Sequence, residues 1–241
     1  LVLTAALLFT ACGGQQPNQS SGQPNQSEKG NGQKAESVII KLGHGQPVES
    51  SAHKSLEKFA EEVKTNTNGA VEVQIFPANQ LGNERDLAEG LTMETIDMAW
   101  ISAGVMENFE TKFAVFSLPY VFRDYEHVHQ IAEGELGKVI FDSLLQGKNI
   151  RTLAFYDQGF RFIWNNIKPI EKLEDLKGMK IRAPESPVYV GTFNFLGSNP
   201  TPIPWGEVYT SMQTKVVDGF EVFPESVVTN NLNEVTKYGS K

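Results

Sequence analysis

From Ser37 onward the apolar residues switch repeatedly between a period of 2 and a period of 3.6, a rhythm that commits the chain to an α/β fold. Val38-Ile39-Ile40-Lys41-Leu42 reads as a buried strand, and Ser50 or Ser51 caps a helix with Ala52, Leu56, Phe59, Ala60 and Val63 on one face. Asn66 to Gly69 stops that helix. Val71, Val73 and Ile75 alternate as a second strand ended by Pro77. The same reading predicts a helix over 83–93, a strand from Asp97 to Ser102, and helices over 124–133 and 135–146. The last of these has Leu136, Val139, Ile140 and Leu144 on its apolar face and Gly147 as its stop. Strands follow over 150–156 and 160–164. The pattern then repeats, with strand Lys177–Ala183, helix 186–196, strand Thr201–Ile203, helix Trp205–Gln213 and strand Val216–Val222. Two α/β lobes result, 37–158 and 159–241, with the crossing near Gln158 to Arg161.

Before Ser37 the character changes. Gly13 to Glu36 holds 19 Gly, Gln, Pro, Asn or Ser among 24 residues and repeats Gln-Pro-Asn-Gln-Ser at 16–20 and 23–27, so it has nothing to bury and reads as a disordered tether. Leu1 to Ala11 is an uncharged, mostly apolar run too short to span a bilayer, which takes about 20 residues. It reads as the core of an export signal ahead of a cleavage site. Phe9-Thr10-Ala11-Cys12 resembles the bacterial lipoprotein signal box, with Phe9 in place of the usual Leu. The resemblance implies that 1–12 is a signal remnant ending on a lipidated Cys12, which would anchor the module outside a membrane.

The chemistry of the chain is narrowed mainly by what its motifs lack. With 21 basic against 29 acidic residues the net charge is −8, and no basic run offers a nucleic acid its phosphate contacts. One cysteine and four scattered histidines build neither a disulfide nor a zinc site. There is no Gly-x-Ser-x-Gly elbow, no His-Glu-x-x-His, no phosphate-binding Gly-x4-Gly-Lys-Ser/Thr and no Gly-x-Gly-x-x-Gly after a strand. The pattern thus favours a protein that is not an enzyme and carries no cofactor or metal. His127 and His129 fall on different faces of their helix and read as surface residues. Gly43-His44-Gly45 fits either a plain turn or a close approach of backbone to a ligand.

Arg182 is the most informative charge. In Met179-Lys180-Ile181-Arg182-Ala183-Pro184 the alternation puts Met179, Ile181 and Ala183 on one face, and Pro184 leaves Arg182 at the carboxyl end of the strand. Open α/β sheets bind ligands there, and a guanidinium pairs bidentately with a carboxylate. A structural ion pair and a ligand contact both remain open on these residues alone.

Several blocks together resemble a known family. They are Gly69-Ala70-Val71-Glu72-Val73 with Phe76-Pro77-Ala78-Asn79-Gln80-Leu81-Gly82, Ser117-Leu118-Pro119-Tyr120-Val121-Phe122, and Asp175-Leu176-Lys177-Gly178-Met179-Lys180-Ile181-Arg182-Ala183-Pro184. Glu207-Val208-Tyr209 and Val216-Val217-Asp218-Gly219-Phe220-Glu221 complete the set. Their order and spacing are similar to the dicarboxylate-type substrate-binding proteins of tripartite ATP-independent periplasmic (TRAP) transporters, from about residue 38 to 241. The resemblance implies a two-lobed, periplasmic-binding-protein-like fold of the class II type. It implies an extracytoplasmic protein that closes on an organic acid and hands it to the permease subunits of an ion-driven transporter.

Carried over by matching motifs, Arg182 would hold the substrate carboxylate and Arg161 would assist. Gly45, Glu84, Ser102, Glu185, Ser186 and Trp205 would line the cleft. Trp205 also reads as a core aromatic, and Glu84 as a carboxylate favoured at a helix start. Glu94 replaces a glycine usual before the third strand. Val222 stands where sugar-acid binders of the family often carry an Asn, which points to a ligand with a less hydroxylated body. The family's later segments do not follow Lys241, so the second lobe is expected to be incomplete. A sensor module of the same fold, presenting ligand to a signalling receptor, is the alternative role.

Overall fold

The computed structural model describes residues 37–241. The signal remnant, Cys12 and the tether lie outside the described residues. Two sheets organise the rest.

The first sheet is parallel throughout, in the order β2-β1-β3. β1 (Val38–Gly43) leads into α1 (Ser51–Asn66), whose N-cap Ser50 accepts from the His53 N–H. β2 (Val71–Phe76) runs beside β1 in register from Val38↔Val71 to Gly43↔Phe76. α2 (Glu84–Thr92) starts on a reciprocal capping box between Asn83 and Asp86. β3 is only Met98–Ala99, and α3 (Ala103–Met106) follows it directly. α4 (Tyr125–Glu133) and α5 (Glu135–Lys148) complete this half, with Ala88, Met106, Phe113, Ile140 and Leu144 as a shared core.

The second sheet is mixed, in the order β6-β5-β7-β4-β8. Its strands are β4 (Phe162–Asn165), β5 (Lys180–Ala183), β6 (Asn199–Pro202), β7 (Gly219–Val222) and β8 (Tyr238–Ser240). β5 lies parallel between β6 and β7, and β4 is antiparallel to both β7 and β8. Helices α6 (Pro187–Phe195), α7 (Val208–Gln213) and α8 (Pro224–Thr229) connect and cover the strands. Ile181 and Ala183 point into a core with Met179 and Phe193, as the alternation in β5 predicts.

Three expectations from periodicity are corrected. Residues 150–156 form no strand: they make no ladder with either sheet, and an extended segment becomes a strand only when a neighbour completes its backbone hydrogen bonds. In α5 the buried stripe is Gly137, Ile140 and Leu144, while Leu136 and Val139 are exposed. A carbon at Gly137 would sit 1.9 Å from the Ala132 carbonyl oxygen, so the face turned inward is set by a residue with no side chain. α5 also runs through Gly147 and ends at Asn149, which takes the left-handed conformation at φ 58°.

Candidate ligand-binding site

A cleft of about 2000 Å³ is lined by residues from around both sheets, among them Glu84, Ser102, Arg161, Arg182, Glu185, Tyr189, Trp205 and Val222. It exceeds the roughly 300–1,000 Å³ of an ordinary small-ligand pocket, so volume alone does not locate a binding point. Charge does.

Three ionic groups meet at the second sheet, two of them, Glu221 and Arg182, buried and Arg161 half-buried. Glu221, on β7, is 2% exposed; Arg161, just before β4, grips it through Nε to Oε2 and through Nη2 to Oε1 at 2.9 Å. The Arg161 guanidinium also lies 5.1 Å from the Tyr189 ring centre. Burial lowers the pKa of Arg161, but the Glu221 carboxylate more than reverses this and the net movement is upward.

Arg182 is held differently. It is 3% exposed on β5; its Nε–H donates to the Ile203 carbonyl at 2.8 Å, and its guanidinium lies 5.6 Å from the Trp205 ring centre. Its Nη1 is 3.8 Å from Glu221 Oε1, and its terminal amino groups make no hydrogen bond to the protein among the described residues. Burial pulls its pKa down to about 10, Glu221 opposes that, and Arg161 adds to it. The arginine is still charged at neutral pH, yet its nearest carboxylate is already occupied.

Across the cleft Glu84, at the first position of α2, accepts from the Ser102 N–H at 3.3 Å and from the Ser102 hydroxyl. Burial raises the Glu84 pKa, and the Ser102 donors and the two arginines partly offset the rise. Asn108 Nδ2 donates to the Glu185 carbonyl at 2.7 Å. Ser186 caps α6 and donates to Glu107 Oε1 at 2.5 Å.

A sequence model described as DctP, bacterial extracellular solute-binding protein, family 7, matches residues 42–241. The chain belongs to this family. It is 35% identical over 204 residues to a solute-binding protein of Roseobacter denitrificans, covering 85% of this chain and 62% of that protein. In structure it is similar to the sugar acid binding protein DctPAm of Advenella mimigardefordensis in complex with galactonate. The TM-score is 0.82 and the identity 30%, over 84% of this chain and 65% of that one. A TRAP periplasmic solute-binding protein of Sulfurospirillum deleyianum with bound succinate matches with a TM-score of 0.79 at 33% identity, over 83% of this chain and 64% of that one. The chain thus spans about 62% of the length of the curated relatives it matches. The mixed α/β, two-lobed class expected from the sequence is the class of these structures.

Set against the family expectation, Arg182, Arg161, Glu84, Ser102, Glu185, Trp205 and Val222 all border the one cleft. Gly45 does not; it lies beside Asn79 at a smaller hollow of about 220 Å³. Trp205 fills both roles read for it, packing on the core around Val208 and Phe220 while facing Arg182. Val222 is likewise a core residue at the cleft wall, and its carbonyl accepts from Trp164 Nε1 at 2.9 Å. Glu221 and Tyr189 were not singled out from the sequence. A lone carboxylate within the apolar run Phe220 to Phe223 was the available signal for the first; nothing marked the second.

Proposed function

We propose that this protein is an extracytoplasmic receptor that captures a small organic acid by its carboxylate and delivers it to the permease subunits of a TRAP-type transporter. The observation that carries the reading is the Arg182 guanidinium: buried, charged, hydrogen-bonded through one N–H, and 3.8 Å from a Glu221 carboxylate that Arg161 already holds. A carboxylate entering the cleft supplies the missing acceptors in bidentate form, a charge-assisted contact worth about 1.5–3 kcal/mol net. Lobe closure then removes water and strengthens the pair. Capture needs no covalent step and no cofactor.

Galactonate and erythronate, bound by similar proteins, are polyhydroxylated and succinate is not; a carboxylate is what all three share, which supports a common anchor of this kind. The lobes divide at 158/159, where Asp157 Oδ1 accepts from the Gly159 N–H and Gly159 has a φ of 95°. The module is tethered through 13–36 to a lipid-bearing Cys12. The Phe9-Thr10-Ala11-Cys12 signal box supports that anchor.

Native mass spectrometry of the purified protein, followed by a thermal-shift panel of galactonate, succinate and keto acids, tests the reading. A co-purifying acid, or stabilisation by at least one of these that Arg182→Ala abolishes, is expected. Amines or neutral sugars as the stabilising class would refute it. Metabolic lipid labelling should mark wild type and not Cys12→Ser.

A further inference from the structure

Gly45 and Gly206 are both glycines without a backbone reason to be so. Neither has a positive φ, and Gly206 is exposed in the short 3-10 turn Trp205–Glu207. What they share is a neighbour. A carbon added at Gly45 would lie 2.7 Å from Asn79 Oδ1, and one added at Gly206 would lie 2.7 Å from Asn79 Nδ2. Both distances are shorter than nonbonded heavy atoms tolerate.

Asn79 belongs to the turn after β2, in the half of the molecule built on the first sheet. Gly206 follows β6, in the half built on the second. The backbone of Asn79 is itself fixed in place. Its φ is 61°, a left-handed conformation that Asn adopts more readily than most residues, and its N–H donates to the His44 carbonyl at 3.1 Å. Its amide reaches past Gly45 to the second half, and the amide makes no hydrogen bond of its own among the described residues. Gly206 is next in sequence to Trp205, the ring facing the Arg182 guanidinium. The contact therefore sits one residue from the ring that faces the proposed carboxylate anchor.

We propose that Asn79 is a positioning residue for closure: its side chain seats between Gly45 and Gly206, and the absence of side chains at those two positions sets how closely the halves approach over the ligand. The inference rests on the receptor reading above. It adds a determinant of affinity that touches neither the ligand nor either arginine.

The test uses the full chain. Gly206→Ala adds one methyl to an exposed turn with ordinary backbone angles, so the fold is kept while the seat for Asn79 is filled. Calorimetric titration with galactonate and with succinate should show roughly tenfold or greater weakening for Gly206→Ala. Asn79→Gly/Gly206→Ala should recover to near the affinity of Asn79→Gly alone, since glycine also accepts the positive φ. Unchanged affinity in Gly206→Ala, or no recovery in the double variant, overturns the proposal. A second arm traps the closed form irreversibly, so the halves need meet only transiently and no ligand is required. In a Cys12→Ser background, Asn79→Cys/Gly206→Cys should be bridged by dibromobimane, giving fluorescence that neither single-cysteine variant gives. Absence of bridging overturns the proposal too. Failure of wild type to bind any acid refutes the receptor reading instead, and the bridging result still decides this one.

Discussion

The two sheets bury polar groups in opposite ways. Beside the first sheet, His44 is 1% exposed and His53 is nearly as buried, yet every ring nitrogen is accounted for. The Gln46 N–H donates to His44 Nδ1 at 3.1 Å, which leaves the His44 proton on Nε2, 2.9 Å from His53 Nδ1. His53 Nε2 then faces Glu57 Oε1 at 3.4 Å. The chain of donors is complete. In the second sheet, Arg161 completes Glu221 and leaves the Arg182 terminal donors with no hydrogen-bond partner among the described residues, Glu221 Oε1 standing 3.8 Å away. A closed network fixes structure; an open one with a net charge has a use for something from outside. Buried polarity alone does not mark a binding site, and what distinguishes the two sets is whether the donors are all spent.

The sharpest way to break the contrast is at Arg182. Arg182→Ala should weaken binding of the acid at least about thirtyfold by calorimetry, in line with the roughly 2–5 kcal/mol lost when one partner of a buried charge pair is removed. Arg182→Lys should lose most of that as well, because an ammonium cannot present the planar fork. Near-normal affinity in either variant would make the second sheet's cluster as self-contained as the first's.

The histidine pair is expected to affect stability rather than affinity. Burial, with His53 adding to it, lowers the His44 pKa from its ordinary 6.5 to about 4. A depressed histidine pKa means the unfolded chain binds the extra proton first. Its stabilising effect is therefore complete above about pH 6.5 and is lost as pH falls from there toward 4, by at most about 3 kcal/mol. Urea unfolding at pH 7.5, 6 and 5 should show this loss in wild type and a shallower slope in His44→Gln. Equal slopes would show that burial does not hold His44 neutral.

How far these features were readable in advance follows the same division between local and long-range causes. The face of β5 was legible because Met179, Ile181 and Ala183 alternate, and so was the position of Arg182 before Pro184. The inward face of α5 was not, because Gly137 contributes no hydrophobic signal and makes its contact through bare backbone. Residues 150–156 have strand-like composition, but a strand depends on a neighbour that sequence does not display. Arg161 and Arg182 were named as a pair of ligand contacts. Their different tasks arise from Glu221, whose partners lie 60 and 39 residues away in the chain.

A smaller effect is expected where the two halves touch. Glu107, after α3, is buried; its Oε1 accepts from the Ser186 hydroxyl and from the Val188 N–H at 3.0 Å, and its Oε2 has no partner in the described structure. Glu107→Ala leaves two donors at the start of α6 unanswered, a cost of about 1–2 kcal/mol that is felt only when the halves meet. Calorimetry should show about tenfold weaker binding while the melting temperature without ligand stays near that of wild type. A fall in both together would make Glu107 a general structural residue.

The smallest effect, and the one that separates the halves most finely, concerns Glu84. Its carboxyl faces the cleft with a raised pKa, chiefly through burial, and Ser102 and the two arginines restrain the rise. A ligand carboxylate bound at Arg182 brings a second negative charge near it and draws off the positive field that restrains it. Both changes favour the protonated form, so binding takes up a proton, and affinity rises as pH falls through the range where Glu84 titrates. The gain should be a few-fold across that range. Titrations in buffers of different ionisation enthalpy should reveal fractional proton uptake in wild type and none in Glu84→Gln, whose amide oxygen can still accept from Ser102. The affinity of Glu84→Gln should match or slightly exceed that of wild type at pH values above that range, since a repulsion has been removed. Proton uptake that persists in Glu84→Gln would assign the linked group to the second sheet instead, with Arg182 no longer the only place where ligand charge is felt.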